Sequence, residues 1–251
     1  MRYFFEIAYK GTNYSGWQAQ PNAIGIQTEV EDALKKIFRE DIQIVGSGRT
    51  DAGVHCEQQF FHCDIEQAFD PSRYALKLNG ILPYDIAIRS IRAVKEDANA
   101  RFDATSRSYQ YRITRTKNPF FEELFFHYFK HVEIDKMQEA AQLLLGTHDF
   151  ECFSKVKTDV NHFGCTITEA RWHVGNGGEQ LFFDISANRF LRGMVRAIVG
   201  TLLDVGTGRT SIEDFRAILA SKDRKQAGAN VAPHGLYLCK VEYPEHIFCN
   251  Q

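Results

Sequence analysis

The chain has no apolar run long enough to cross a membrane and no low-complexity stretch, which excludes an integral membrane helix and a disordered linker protein. Its N-terminus, MRYFFEIAYKG, lacks the apolar core and small-residue cleavage site of a signal peptide, so a cytoplasmic chain is expected. Six cysteines occur without any C-x-x-C pair, arguing for reduced, buried thiols rather than a disulfide framework. One metal alternative stays open: His55-Cys56 and His62-Cys63 stand seven apart. Neighbours on a strand face opposite ways, so each pair could lend only one ligand to a common zinc site. An excess of positive charge is also missing. The 30 basic residues face 32 acidic ones, so any nucleic-acid-binding charge must be gathered on one face.

At 251 residues, the chain is long enough for one large or two small domains. Residues 2–9 alternate as a half-buried strand, with Tyr3, Phe5, Ile7 and Tyr9 on one side. Ile26, Val30, Ala33, Leu34, Ile37 and Phe38 follow helical spacing. Strands are expected at 43–45, 58–65 and 85–94, with a short Pro71-led helix to Asn79. The pattern then restarts with a strand at 107–114 and a helix capped by Asp135 and stopped at Gly146. Further strands are expected at 166–174 and 181–187, a long helix over 189–205, a helix capped by Ser211 and a last strand at 235–243. Two successive sets of strands and helices predict an α+β protein of two similar halves, 1–103 and 104–251.

The stretch VGSGRTDAGVH (Val45–His55) offers almost no apolar surface. Arg49-Thr50-Asp51 between glycines reads as a turn in which Asp51 bonds local amides. A further reading is a catalytic carboxylate, which then needs a nearby cation to stay ionised when desolvated. The phosphate-loop patterns are absent. In the expected long helix, Arg189, Arg192 and Arg196 stand at i, i+3 and i+7, a narrow cationic face suited to an anion. Tyr109, on the first strand of the second half, is either a core aromatic or a base-stacking one.

GRTDAGVH resembles the signature of tRNA pseudouridine synthases of the TruA type. YKGTNYSGWQAQP, LNGILPYDIAI, ARFDATSRSYQYRI, FLRGMVRAIVGTLLDVG, SKDRKQAG and APHGLYLCKVEYP resemble further blocks of that family across the whole length. The Arg192-Gly193 pair departs from it, since relatives often carry histidine there. The resemblance implies two ferredoxin-like halves in a mixed, mainly antiparallel sheet flanked by helices, with the active-site cleft between the halves. It implies a homodimer that isomerises uridine to pseudouridine at positions 38, 39 and 40 of the tRNA anticodon stem–loop, without cofactor or metal. Asp51 takes the place of the catalytic aspartate, Tyr109 of the active-site tyrosine and Arg196 of the arginine paired with the aspartate. Arg49 matches the arginine that holds the target nucleotide out of the stack, and Arg189 and Arg192 are expected to touch the RNA. A silent RNA-binding relative would have lost Asp51, Tyr109 or Arg196; all three are present.

Overall fold

The computed structural model describes residues 1–155 and 162–249. The chain is α+β and divides into two compact units, Met1–Ser106 with Leu238–Gln251, and Arg107–Tyr237. The last segment therefore packs with the first unit, whereas a single cut at 103 would leave it in the second.

In the first unit, β1 (Arg2–Tyr9) lies between β3 (His55–Asp64) and β4 (Ile86–Ala93), antiparallel to both. The two-residue β2 (Val45–Gly46) also pairs with β3, and β10 (Leu236–Glu242) follows β3 in the strand order. Two helices, α1 (Ile26–Phe38) and α2 (Pro71–Asn79), complete it. Asp70 caps α2 by accepting from the amides of Ser72 and Arg73, the role its place before a proline suggests.

Strand β1 is not half-buried. Phe5 and Ile7 on one face are fully buried, and so is Phe4 on the other, at 1% exposure. Phe4 meets Phe60, Tyr243 and Phe248. The C-terminal segment thus covers the face that alternation assigned to solvent, and full burial of the Phe4 ring contributes about 1.5–3 kcal/mol.

The second unit holds β5 (Ser106–Thr114), β9 (Gln180–Ala187), β8 (Gly164–Gly175) and β7 (Gly146–Asp149) in that order, each antiparallel to its neighbour. The short β6 (Phe126–His127) runs parallel to β5. Helices α3 (Ile134–Gln142), α4 (Met194–Gly206) and α5 (Ile212–Ser221) belong to this unit. Ser211 forms a full capping box with Asp214. Asp135 does not cap α3; it lies in the first turn, and Glu133 occupies the cap position.

The largest departure from expectation is α4. It begins at Met194, because Gly193 has φ +72°, in the left-handed region. A helix cannot run through that conformation, so 189–193 is a non-helical approach segment. Arg189 and Arg192 lie in it and share no helical face with Arg196.

Both units guard an outer sheet edge with amide side chains. Asn79, at the end of α2, donates to the carbonyl of Ile88 (2.8 Å) and accepts from its amide (2.7 Å). In the other unit, Gln138 accepts from the amide of Trp172 (2.7 Å), and both Gln138 and Gln142 donate to the carbonyl of Ala170. Exposed strand edges otherwise invite pairing with another chain.

Candidate active site

The loop before β3 is held from both sides while its polar tip stays accessible. The carbonyl of Asp51 accepts from the amide of Val54 (3.2 Å), closing a four-residue turn with Gly53 at the third position, φ +77°. A glycine is favoured there because a side chain resists positive φ. Thr50 is buried and its hydroxyl meets the Tyr9 hydroxyl at 2.8 Å. Tyr9 also donates to Gln59 (2.9 Å), which in turn donates to the carbonyl of Gly48 (3.0 Å).

From the other side come the residues after β1. The Trp17 amide donates to the carbonyl of Thr50 (3.3 Å), and the Gly53 amide donates to the carbonyl of Tyr14 (3.3 Å). Two glycines permit this approach. A Cβ on Gly11 would collide with the carbonyl oxygen of Val54, and one on Gly16 with that of Thr50. Gly16 also has φ +87°. The loop is therefore a clamped platform: Thr50 is buried, Asp51 half-buried and Arg49 exposed.

The two histidines weighed as metal ligands have structural partners. Nδ1 of His55 accepts from the amide of Gly11 (3.0 Å), and Nδ1 of His62 from that of Ala100 (3.1 Å). Burial, aided by the Arg2 charge, lowers the His62 pKa, which keeps the ring neutral and its acceptor available. Burial pushes the Cys56 thiol well up and that of Cys63 to about 12, the opposite of what a thiolate ligand needs. Among the described residues, no group of three or more His, Cys, Asp or Glu side chains could hold a metal. No helix of the described residues is long and apolar enough to cross a membrane.

In the second unit, Tyr109 is half-buried on β5, opposite Ile185 of β9. Phe190 meets it edge-on, with centroids 5.1 Å apart and planes at 86°, a favoured aromatic geometry. Tyr111, two residues along, is fully buried and donates to the carbonyl of Ala232 (2.7 Å). It is the core member of the pair, and burial raises its pKa far beyond the usual phenol range. Arg196, in the first turn of α4, is half-buried and donates through Nε to the carbonyl of Val231 (2.7 Å). The Val231 amide returns a bond to the carbonyl of Arg196 (3.3 Å), so the guanidinium is aimed by its backbone neighbourhood. Arg189 meets His162 (Nη1 to Nε2, 2.9 Å), and exposed Arg192 accepts from the amide of Lys155 through its carbonyl (3.0 Å).

Sequence reasoning missed Gly11, Gly16, Tyr14 and Gln59 as supports, and Phe190 as the partner of Tyr109. The two glycines had a visible signal, since KGTNYSGW places both in a short segment without apolar periodicity. A glutamine inside the buried strand HCEQQFFHCD was another. Phe190 was hidden because it also fits a helical stripe.

The first unit thus carries a glycine-clamped carboxylate loop, and the second a half-buried tyrosine and a backbone-aimed arginine. The family described as tRNA pseudouridine synthase matches residues 7–103 and 140–244. The chain is 48% identical over 249 residues to tRNA pseudouridine synthase A of Porphyromonas gingivalis, covering 98% of this chain and 99% of that one. It is 45% identical over 251 residues to the protein of the same name from Bacteroides thetaiotaomicron, covering 100% and 93%. Among solved structures it aligns with an H/ACA RNP bound to a substrate RNA containing 2'-deoxyuridine. That match has 11% identity and a TM-score of 0.35, over 80% of this chain and 53% of the other. The chain belongs to the tRNA pseudouridine synthase family, and its similarity to the synthase A proteins runs through nearly its whole length.

Proposed function

We propose that this protein isomerises uridine to pseudouridine at positions 38, 39 and 40 of the tRNA anticodon stem–loop, with Asp51 as the catalytic carboxylate. Family membership supports tRNA uridine as the substrate and pseudouridine formation as the reaction. The observation that carries the site assignment is the clamp on Thr50 and Gly53, which fixes the backbone around a half-buried Asp51. Such preorganisation is what a nucleophile needs when the reacting atoms must meet within a few tenths of an ångström.

In the reaction the C1′–N1 bond breaks, the uracil turns and C5 joins C1′. The C5 proton leaves and N1 gains one, so atoms and charge balance without an oxidant, reductant or transferred group. No cofactor is required by that balance. Asp51 acts by covalent attack. Tyr109 packs on the uracil and assists removal of the C5 proton. Arg196 supplies the positive charge that keeps the attacking carboxylate ionised as RNA excludes water. Arg49, exposed beside the loop, holds the target nucleotide out of the helical stack. Arg189 and Arg192 bind the phosphate backbone, and the active form is a cytoplasmic homodimer.

The decisive test is single-turnover conversion of a tRNA transcript by Asp51→Asn, with product mapped by position. The variant should bind tRNA within a few-fold of wild type and form no pseudouridine at positions 38–40. Retained conversion by a preparation free of contaminating synthase would remove Asp51 from the mechanism.

A further inference from the structure

Between α2 and β4 the chain makes a tight turn, Pro83-Tyr84-Asp85-Ile86, closed by the Ile86 amide on the carbonyl of Pro83 (2.9 Å). Asp85 is its anchor. Its Oδ1 accepts from the hydroxyl of Tyr14 (2.6 Å), its Oδ2 from the side-chain amide of Asn13 (3.2 Å), and its carbonyl from the Lys10 amide (2.9 Å). Burial and then the Asp85 bond raise the Tyr14 pKa, so this hydroxyl stays a donor throughout the physiological range. The residues that hold the turn, Lys10 to Tyr14, belong to the segment that clamps the Asp51 loop. Tyr14 does both jobs, accepting from Gly53 through its carbonyl and donating to Asp85 through its hydroxyl. One tyrosine therefore spans from the loop to the turn.

What this anchored turn displays is Tyr84, whose relative exposure of 108% makes it the most exposed of the large apolar or aromatic side chains in the described residues. Both ring faces are open. An aromatic ring left in water forgoes the transfer free energy of burial, and a tyrosine has only two side-chain torsions to immobilise on binding. A flat, amphipathic ring on a rigid mount suits a flat partner. Nucleobases stack on such rings regardless of sequence, and single-stranded loops present them unpaired.

We infer that Tyr84 stacks on an unpaired base of the substrate RNA near the target uridine, and so positions the RNA on the Asp51 loop. This rests on the reading of RNA as substrate. It adds a positioning residue outside the chemical step, one that family membership does not assign.

The experiment uses the full chain, a tRNA transcript and three proteins: wild type, Tyr84→Ala and Tyr84→Phe. Wild-type turnover of the transcript tests the substrate reading by itself; its absence would sink that reading whatever Tyr84 does. Given turnover, Tyr84→Ala should raise KM about tenfold or more, with kcat at saturating tRNA and the melting temperature unchanged. Tyr84→Phe should restore KM, because stacking needs the ring and not the hydroxyl. Transcripts carrying one abasic site at each anticodon-loop position would then locate the stacked base, as the position whose loss weakens binding by wild type but not by Tyr84→Ala. An alanine variant with wild-type KM overturns the inference. So does a phenylalanine variant as weak as alanine, which would assign the effect to the hydroxyl. A change in the sedimentation of free Tyr84→Ala would give the ring to a second copy of the chain and overturn it equally.

Discussion

Replacing Gly16 with alanine should disable the enzyme from a position that carries no reactive group. The new Cβ would be forced well inside 3.0 Å of the Thr50 carbonyl oxygen, and would stand 3.1 Å from the Asp51 carbonyl carbon and 3.2 Å from the Ala52 nitrogen. All three are backbone atoms of the loop, so no flexible side chain can swing away. Alanine at φ +87° adds backbone strain of about 1–3 kcal/mol. Relief of the overlap adds about 1–3 kcal/mol, while the stiffer unfolded chain returns about 0.4–1 kcal/mol. The net loss is about 1–6 kcal/mol, centred near 3 kcal/mol and read as a lower urea midpoint with an unchanged slope. The escape route is outward movement of Thr50-Asp51, and a displacement on the order of 1 Å reduces the rate by about 100-fold. Gly48→Ala is the matched control. Nothing lies within 4 Å of its Cβ and its φ is not positive, so rate should hold and stability should change by no more than about 1 kcal/mol. Single-turnover conversion of saturating tRNA and urea unfolding measure both. Equal rates for Gly16→Ala and Gly48→Ala would refute the idea that close backbone approach positions Asp51.

The three arginines should separate by kinetics: Arg196→Ala should lose turnover even at saturating tRNA. Arg189→Ala and Arg192→Ala should recover at saturation while flattening log K against log salt by about 0.7–0.9 for each phosphate no longer neutralised. Identical effects of all three on rate and salt slope would discard this division. A pH prediction follows from His62, whose folded pKa lies below 6.5. The unfolded chain then binds the proton more readily, so its contribution is fully present above about pH 6.5 and is lost as pH falls toward the folded value. Urea midpoints taken from pH 7.5 to 5 should fall less for His62→Gln than for wild type; parallel profiles would contradict it.

Much of this architecture is legible in the residues themselves. Asp70-Pro71 and Ser211 mark helix starts correctly because a cap is a local bond between neighbours. The chain's membership of a tRNA-modifying family is legible in GRTDAGVH and its companion blocks. What failed was decided at a distance or by one dihedral angle. Phe190 and Leu191 fit a helical stripe, yet Gly193 turns left-handed and starts the helix at Met194. Alternation gave β1 one wet face, and only the return of Tyr243 and Phe248 across that face reveals why Phe4 is there. Asp51 was visible as a residue, but its mounting was not. That depends on Gly11 and Gly16 touching residues far along the chain, and periodicity carries no record of such approaches.

The amide guards on the two sheet edges bear on how this protein is made as well as how it stands. Asn79 and Ile88 are nine residues apart, so that edge closes through a short loop almost as soon as β4 leaves the ribosome. The amide and carbonyl of Ile88 on that edge are occupied before the C-terminal segment of the same unit has been synthesised. Gln138 and Trp172 are 34 residues apart, so guarding β8 closes a longer loop at a somewhat larger entropic cost. By loop closure alone, the edge of β8 is therefore the slower of the two to be guarded as the chain emerges.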